Sequence, residues 1–264
     1  MLKKNALPIA VSLFSAPVLR RLPPIVERAA AALQSKCGGG TDGLGREVAS
    51  ALRFMPREGA RVFDVGANVG AWSEEMLRRR PRLKQLTMFE PQPACWSSLE
   101  AQADGRVALE KVALSDRPGV MEFWANENSE IASFHKRTDF ASAQSPISVE
   151  CDTLDLYLQR SDIPFVDFVK MDVEGHELQV LKGAKAAIAS NRIGAMSFEF
   201  GLANVDSRTF FIEFWDLFES INWSIYRILH NYDIRKIDRY SRDLEYFAGV
   251  SNYIASPQPP SAAR

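Results

Sequence analysis

Cysteine is scarce and unpaired in this chain. Cys37, Cys95 and Cys151 are odd in number, far apart, and form no C-x-x-C pair. That spacing excludes a disulfide framework and the usual zinc sites, and a reduced cytoplasmic protein is the expectation. An excess of one charge is missing as well. Lys+Arg 32 against Asp+Glu 33 leaves a net charge of −1, so there is no global field for a polyanion and no nucleic-acid partner is expected. A bilayer-spanning apolar run is also absent from the N-terminus: Leu7 to Leu19 is too short to cross. Pro8 and Pro17 interrupt that stretch, Arg20 and Arg21 follow at once, and no small-x-small site marks a cleaved leader.

What is present is ordinary for a globular protein. Of 264 residues, 46% are apolar and 25% charged, enough for a full core in one or two domains. Residues 1–40 carry Lys3, Lys4, Arg20, Arg21, Arg28 and Lys36 against Glu27 alone, a local charge of +5. Residues 1–45 are therefore expected to form a basic, helical extension packing on the main domain, with peripheral contact to an anionic membrane or a partner as the alternative. Gly38-Gly39-Gly40 reads as a hinge behind it. The main domain is expected over 46–255, and the Pro/Ser/Ala-rich 256–264 as a disordered tail.

From Arg61 onward, strand-like and helix-like segments alternate. Arg61–Val65, Leu86–Glu90, Val107–Leu114, Val120–Trp124, Phe165–Met171 and Ile193–Phe200 read as strands, and Trp223–Leu229 and Tyr246–Ile254 as a closing pair. Ala71–Arg79, Pro93–Ala101, Thr153–Gln159 (with Asp152 as cap), Glu177–Ala189 and Phe210–Ile221 read as helices. The alternation predicts an α/β fold, a parallel or mixed sheet with helices on both faces. In such sheets ligands sit at the carboxyl ends of the strands. Asp64, Glu90, Asp172 and Glu199 all stand at such ends. Acids also cap helices there, but four together favour a site.

The turn Asp64-Val65-Gly66-Ala67-Asn68-Val69-Gly70 hands a strand to a helix, as around a nucleotide-like ligand. Glu90 ends the next strand, where an acid accepts hydrogen bonds from a ribose diol. The pairing suits NAD and S-adenosylmethionine alike. Two details separate them. The spacing is Gly66-x-x-x-Gly70, without the G-x-G-x-x-G that meets a pyrophosphate, and Asp64 would repel one. A carboxylate there suits an ammonium or sulfonium. A second cluster, Lys170-Met171-Asp172-Val173-Glu174-Gly175-His176-Glu177, crowds carboxylates into one strand-to-helix turn, which is costly unless they serve a cation or a helix start. The aromatics Phe200, Phe210, Phe211, Phe214 and Trp215 have the spacing of a core face, with stacking on a sugar as the alternative.

Taken with Phe89-Glu90-Pro91, Ala113-Leu114-Ser115, Thr153-Leu154-Asp155, Leu181-Lys182-Gly183-Ala184 and Glu199, these blocks resemble FkbM-type methyltransferases, which use S-adenosylmethionine. The resemblance covers Arg61 to Glu199, and the Lys170 to Glu177 block is its specific piece. It implies a Rossmann-like seven-stranded sheet, mostly parallel with an antiparallel last strand. It implies methyl transfer, usually to a hydroxyl of a sugar, glycan or secondary metabolite. By position, Asp64, Gly66, Asn68 and Gly70 would cradle the methionine part of the cofactor and Glu90 the ribose. Ala113, Leu114 and Ser115 would lie near the adenine and Asp172 on the sulfonium side. An alcohol needs a base as its carbon–oxygen bond forms, and His176 or Asp172 is expected to take the proton while Glu199 shapes the acceptor site. Mg²⁺ between Asp172 and Glu199 would want a third oxygen ligand, which the sequence does not offer, so no metal is expected. The polar stretch from Asn126 to Pro146 reads as a lid over the acceptor, with Ser133 and His135 as contacts. Two other readings stay open: an NAD-dependent oxidoreductase, and a non-catalytic module that binds S-adenosylmethionine as scaffold or sensor.

Overall fold

Short runs of Val, Ile, Phe and Met separated by helix-forming stretches make strands buried on both faces, because alternate side chains point to opposite sides and both sides meet helices. The computed structural model describes residues 22–36, 43–125, 132–136, 145–246 and 248–261. Among these the chain runs α1 (Leu22–Leu33), α2 (Leu44–Ala51), β1 (Arg61–Val65), α3 (Ala71–Arg79), β2 (Gln85–Phe89), α4 (Pro93–Glu100) and β3 (Val107–Glu110). It continues through β4 (Ala113–Leu114), β5 (Gly119–Ala125), β6 (Ser145–Asp152), α5 (Leu154–Arg160), β7 (Val166–Met171), α6 (Glu177–Lys182) and α7 (Lys185–Ala189). It closes with β8 (Ile193–Phe200), α8 (Ala203–Ser207), α9 (Phe211–Ser220), β9 (Ser224–Ile228), β10 (Ile234–Lys236), a 3-10 turn (Arg242–Glu245) and β11 (Ser251–Ser256).

The main sheet has the order β10-β9-β11-β8-β7-β1-β2-β3. From β3 to β8 the neighbours are parallel, and β11 enters antiparallel between β8 and β9. The expected mostly parallel sheet is present, with β10 added at the β9 edge. A second sheet, β4-β6-β5, stands apart. In β1, Phe63 joins a core with Phe89, Met171, Phe198, Phe211, Phe214 and Phe218 on one face. Val62 and Phe168 pack on the other with Val48, Trp72, Met76 and Ile254. The α9 aromatics are thus core: Phe214 stacks on Phe198 at 4.7 Å, while Phe210, at 59% exposure, faces solvent.

Several local expectations differ. Val107–Leu114 is two strands, β3 in the main sheet and β4 in the second. Glu177–Ala189 is two short helices, broken at Gly183, which packs against the Ser115 carbonyl so closely that a Cβ would sit 2.0 Å from its oxygen. Thr153, not Asp152, caps α5, its hydroxyl accepting from the Leu156 N–H at 3.1 Å. Asp152 instead pairs with Arg160. β6 occupies a stretch read as part of a loop and its flank. Its Val149 and Cys151 are buried. Ser261 N–H donates to the Arg53 carbonyl at 2.7 Å, so the chain after β11 runs back to the end of α2. No helix among the described residues is long and apolar enough to cross a membrane. The glycine hinge at 38–40, residues 1–21 and most of the 126–146 stretch lie outside the described residues.

Candidate functional site

The site begins where β1 ends. Gly66 has φ 76°, and a Cβ on it would lie 1.9 Å from the Asp172 carbonyl oxygen. Only glycine allows the ends of β1 and β7 to approach this closely. Beyond it Asn68 also takes a left-handed conformation, φ 51°. Its N–H donates to Glu90 Oε2 at 2.8 Å, and the Gln92 N–H donates to Glu90 Oε1 at 2.8 Å. Burial raises the Glu90 carboxyl, and these two N–H groups oppose that rise. A carboxylate has about four acceptor positions, so Glu90 keeps capacity for a diol.

Asp64 behaves differently from its expected part. It is fully buried, accepting from Ser73 Oγ at 2.7 Å and from Lys170 Nζ at 2.9 Å. Lys170 stands beside it in the β1–β7 register. The same ammonium donates to the Gly66 carbonyl at 2.9 Å and lies 3.5 Å from Asp172. Burial would lower the Lys170 pKa, but Asp64 and Asp172 outweigh it and hold the value above the ordinary lysine range. Asp64 and Lys170 therefore brace the turn from behind.

In the Lys170–Glu177 block, Glu177 at the start of α6 is 1% exposed. Its Oε1 accepts from the Val173 and Gly175 N–H groups, each at 3.2 Å, while Oε2 has no partner among the described residues. Burial pushes its carboxyl up to about 7 against those contacts. His176 is 3% exposed. Its Nε2 shares a hydrogen bond with Ser115 Oγ at 2.9 Å, and its Nδ1 lies 3.4 Å from His135 Nε2. Phe134 covers the ring at 4.2 Å. Burial first, then His135, depresses the His176 pKa to about 3, and burial lowers that of His135 too.

A cavity of ≈ 450 Å³ opens at the carboxyl ends of β1, β2, β7 and β8, within the size range of small-molecule sites. Gly66, Asn68, Glu90, Ala113, Leu114, Asp172 and Glu199 all line it. The described residues Asp64, Gly70, Ser115, Ser133, His135 and His176 do not. Ser133 is fully buried, donating to the Glu174 carbonyl at 2.7 Å. From that segment Ala132 and Phe134 reach the wall instead. Asp172, Glu174 and Glu199 bring carboxylate oxygens within 4.8 Å of one another. Glu174 is thus a third acid beside Asp172 and Glu199, a grouping not read from the sequence, and it also lines the cavity. Burial, then Asp172 and Glu174, raise the Glu199 carboxyl well above the usual range. Glu47 from α2 completes the acidic lining. Glu174 was noted from sequence only as part of the carboxylate cluster, and Glu47 was not singled out. Glu174 sat in the quoted block, whereas Glu47 precedes every recognisable motif.

The residues fit S-adenosylmethionine. Apolar Phe89, Ala113, Leu114 and Phe123 offer a wall for a purine, Glu90 has free acceptor positions for a ribose, and the acids face a cationic centre. The match to a known family agrees. Residues 64–238 match the model of the methyltransferase FkbM domain. The 2-O-methyltransferase NoeI of Sinorhizobium fredii is 30% identical over 149 residues, 50% of this chain and 60% of that protein. The hexuronic acid methyltransferase AglP of Haloferax volcanii is 30% identical over 132 residues, 49% of this chain and 52% of that protein. The alignments thus span little more than half of each relative. The crystal structure of an FkbM methyltransferase from Methylobacillus flagellatus is similar with a TM-score of 0.47 at 16% identity, over 75% of this chain and 44% of that one. With the domain match running from the β1 turn to beyond β10, the chain belongs to the FkbM family of S-adenosylmethionine-dependent methyltransferases.

Proposed function

We propose that this protein transfers a methyl group to a hydroxyl oxygen of a sugar or glycan. The observation that carries the reading is the cluster of Asp172, Glu174 and Glu199 in the same cavity as Gly66, Asn68 and Glu90. S-adenosylmethionine supplies an electrophilic methyl group on a positively charged sulfur. The cavity acids favour that charge and hold it beside the acceptor. As the acceptor oxygen bonds to the methyl carbon, the carbon–sulfur bond breaks with its electron pair going to sulfur, and the hydroxyl proton must leave. Asp172 is the acid placed to take it: it lines the cavity and lies 3.5 Å from the Lys170 ammonium. Glu199, held towards its protonated form, is suited to hydrogen-bond a second acceptor oxygen. A base role for His176 has less support, because its ring turns to Ser115 and His135 rather than to the cavity.

The relatives support the acceptor class. One is named for 2-O-methylation and the other for methylating a hexuronic acid. A hydroxyl is favoured over a carboxylate as the atom methylated, since the acid-lined cavity repels an anion. The test is incubation with methyl-labelled S-adenosylmethionine and a panel of neutral and acidic glycans. Label stable to mild alkali, as an ether is, and a fall of about 10²–10⁴-fold in kcat for Asp172→Asn are expected. Alkali-labile label would point to an ester instead. Cofactor binding without transfer to any hydroxyl acceptor would favour a sensor or scaffold.

A further inference from the structure

The methionine end of the cofactor carries an α-ammonium, and a buried site must meet it with oxygen acceptors, of which a carboxylate is the strongest. Asp64, the acid expected there from sequence, is spent on Ser73 and Lys170 and does not line the cavity. Among the acids that do line it, Glu90 is turned to the Asn68 and Gln92 N–H groups. Glu177 holds the Val173 and Gly175 N–H groups, Asp172 lies beside Lys170, and Glu174 and Glu199 stand with Asp172 in the carboxylate cluster assigned above to the acceptor side. Glu47 is placed otherwise. It projects from α2, one helical turn after Leu44, so that both reach the cavity that Gly66, Ala67 and Trp72 also line. Its Oε1 accepts from Asn252 Nδ2 of β11 at 3.0 Å, and it forms no ion pair among the described residues. Val48 and Ala51 of the same helix are buried in the core shared with Val62 and Phe168 of the sheet, which fixes the position of α2.

We propose that Glu47 is a cofactor-binding residue that holds the α-ammonium of S-adenosylmethionine, a part played from outside the matched family region. The proposal rests on the cavity being the cofactor site. Charge and position agree with it: burial and the neighbouring Asp172 raise the Glu47 carboxyl, Lys170 and Arg46 oppose that only through space, and the Lys170 ammonium gives its hydrogen bonds to Asp64 and Gly66. The Asn252 amide fixes one oxygen and leaves the other for the ligand.

The full-length wild type and Glu47→Gln are compared by calorimetric titration with three probes. S-adenosylmethionine and S-adenosylhomocysteine both carry the ammonium; 5′-methylthioadenosine keeps the nucleoside and lacks the amino-acid part. Loss of a charge-assisted hydrogen bond is expected to weaken the first two by at least about tenfold and to leave methylthioadenosine binding unchanged. Glutamine preserves the acceptor for Asn252, and unchanged methylthioadenosine affinity reports an intact pocket. Unaltered affinity for the first two ligands, or equal weakening of all three, would overturn the proposal. A wild type that binds none of the three would overturn the cofactor site itself. Weakening of S-adenosylmethionine alone would assign Glu47 to the sulfonium and not the ammonium, and would equally overturn it.

Discussion

At the scale of single residues, His176 shows how environment decides chemistry. The unfolded imidazole takes a proton near pH 6.5, whereas the buried ring resists until about pH 3. Between these values the unfolded chain binds more protons, so stability falls as pH drops from 6.5 towards 3 and is unaffected by this group above 6.5. His176→Gln should remove that sensitivity. In urea denaturation at pH 7.5 and 4.5, the wild type is expected to lose roughly 3 kcal/mol more than the variant; equal losses would contradict the buried neutral ring. The carboxylates at the strand ends were legible in sequence because position alone places them. Their partners were not. That Asp64 is neutralised by Lys170 follows from the β1–β7 register, which joins segments far apart in the chain, and Glu47 reaches the cavity only through the packing of α2.

Among the secondary-structure elements, strands with long apolar runs were read correctly, and errors fell where a second sheet intrudes and at the closing strand, expected from Tyr246 but beginning at Ser251. Ile147, Val149 and Cys151 alternate with Ser148 and Glu150, a period-two signal for β6 that the polar stretch before it masked. Gly183 was read as an interior helical residue because its reason is tertiary: the chain there passes the Ser115 carbonyl. Gly183→Ala would place a methyl 2.0 Å from that oxygen, forcing the α6–α7 junction away from the end of β4. Overpacking of this kind costs about 1–3 kcal/mol, and thermal melts should show a matching drop in Tm. The same substitution at the exposed Gly105, where a Cβ meets nothing, serves as the control.

For the whole molecule, the sheet gathers its acids at one end and divides the core between its two faces. A ligand that binds only the folded form stabilises it by RT ln(1 + [L]/Kd), about 2.7 kcal/mol at a hundredfold excess over Kd. S-adenosylhomocysteine is therefore expected to raise the melting temperature and NAD to leave it unchanged, a pairing that also separates the two cofactor readings of the sequence. A rise with NAD would reopen the oxidoreductase. The mostly parallel sheet with an antiparallel last strand was legible by family resemblance, whereas β10 was not, since Ile234–Lys236 is too short to carry a pattern. That small strand shapes how the molecule meets its own kind. Without it the sheet would end on β9, whose Ile225, Tyr226 and Ile228 are buried. With it the outermost backbone belongs to three residues, of which Arg235 and Lys236 are exposed. An approaching strand finds few free backbone groups and two like charges, so edge-to-edge growth into aggregates is discouraged at this border.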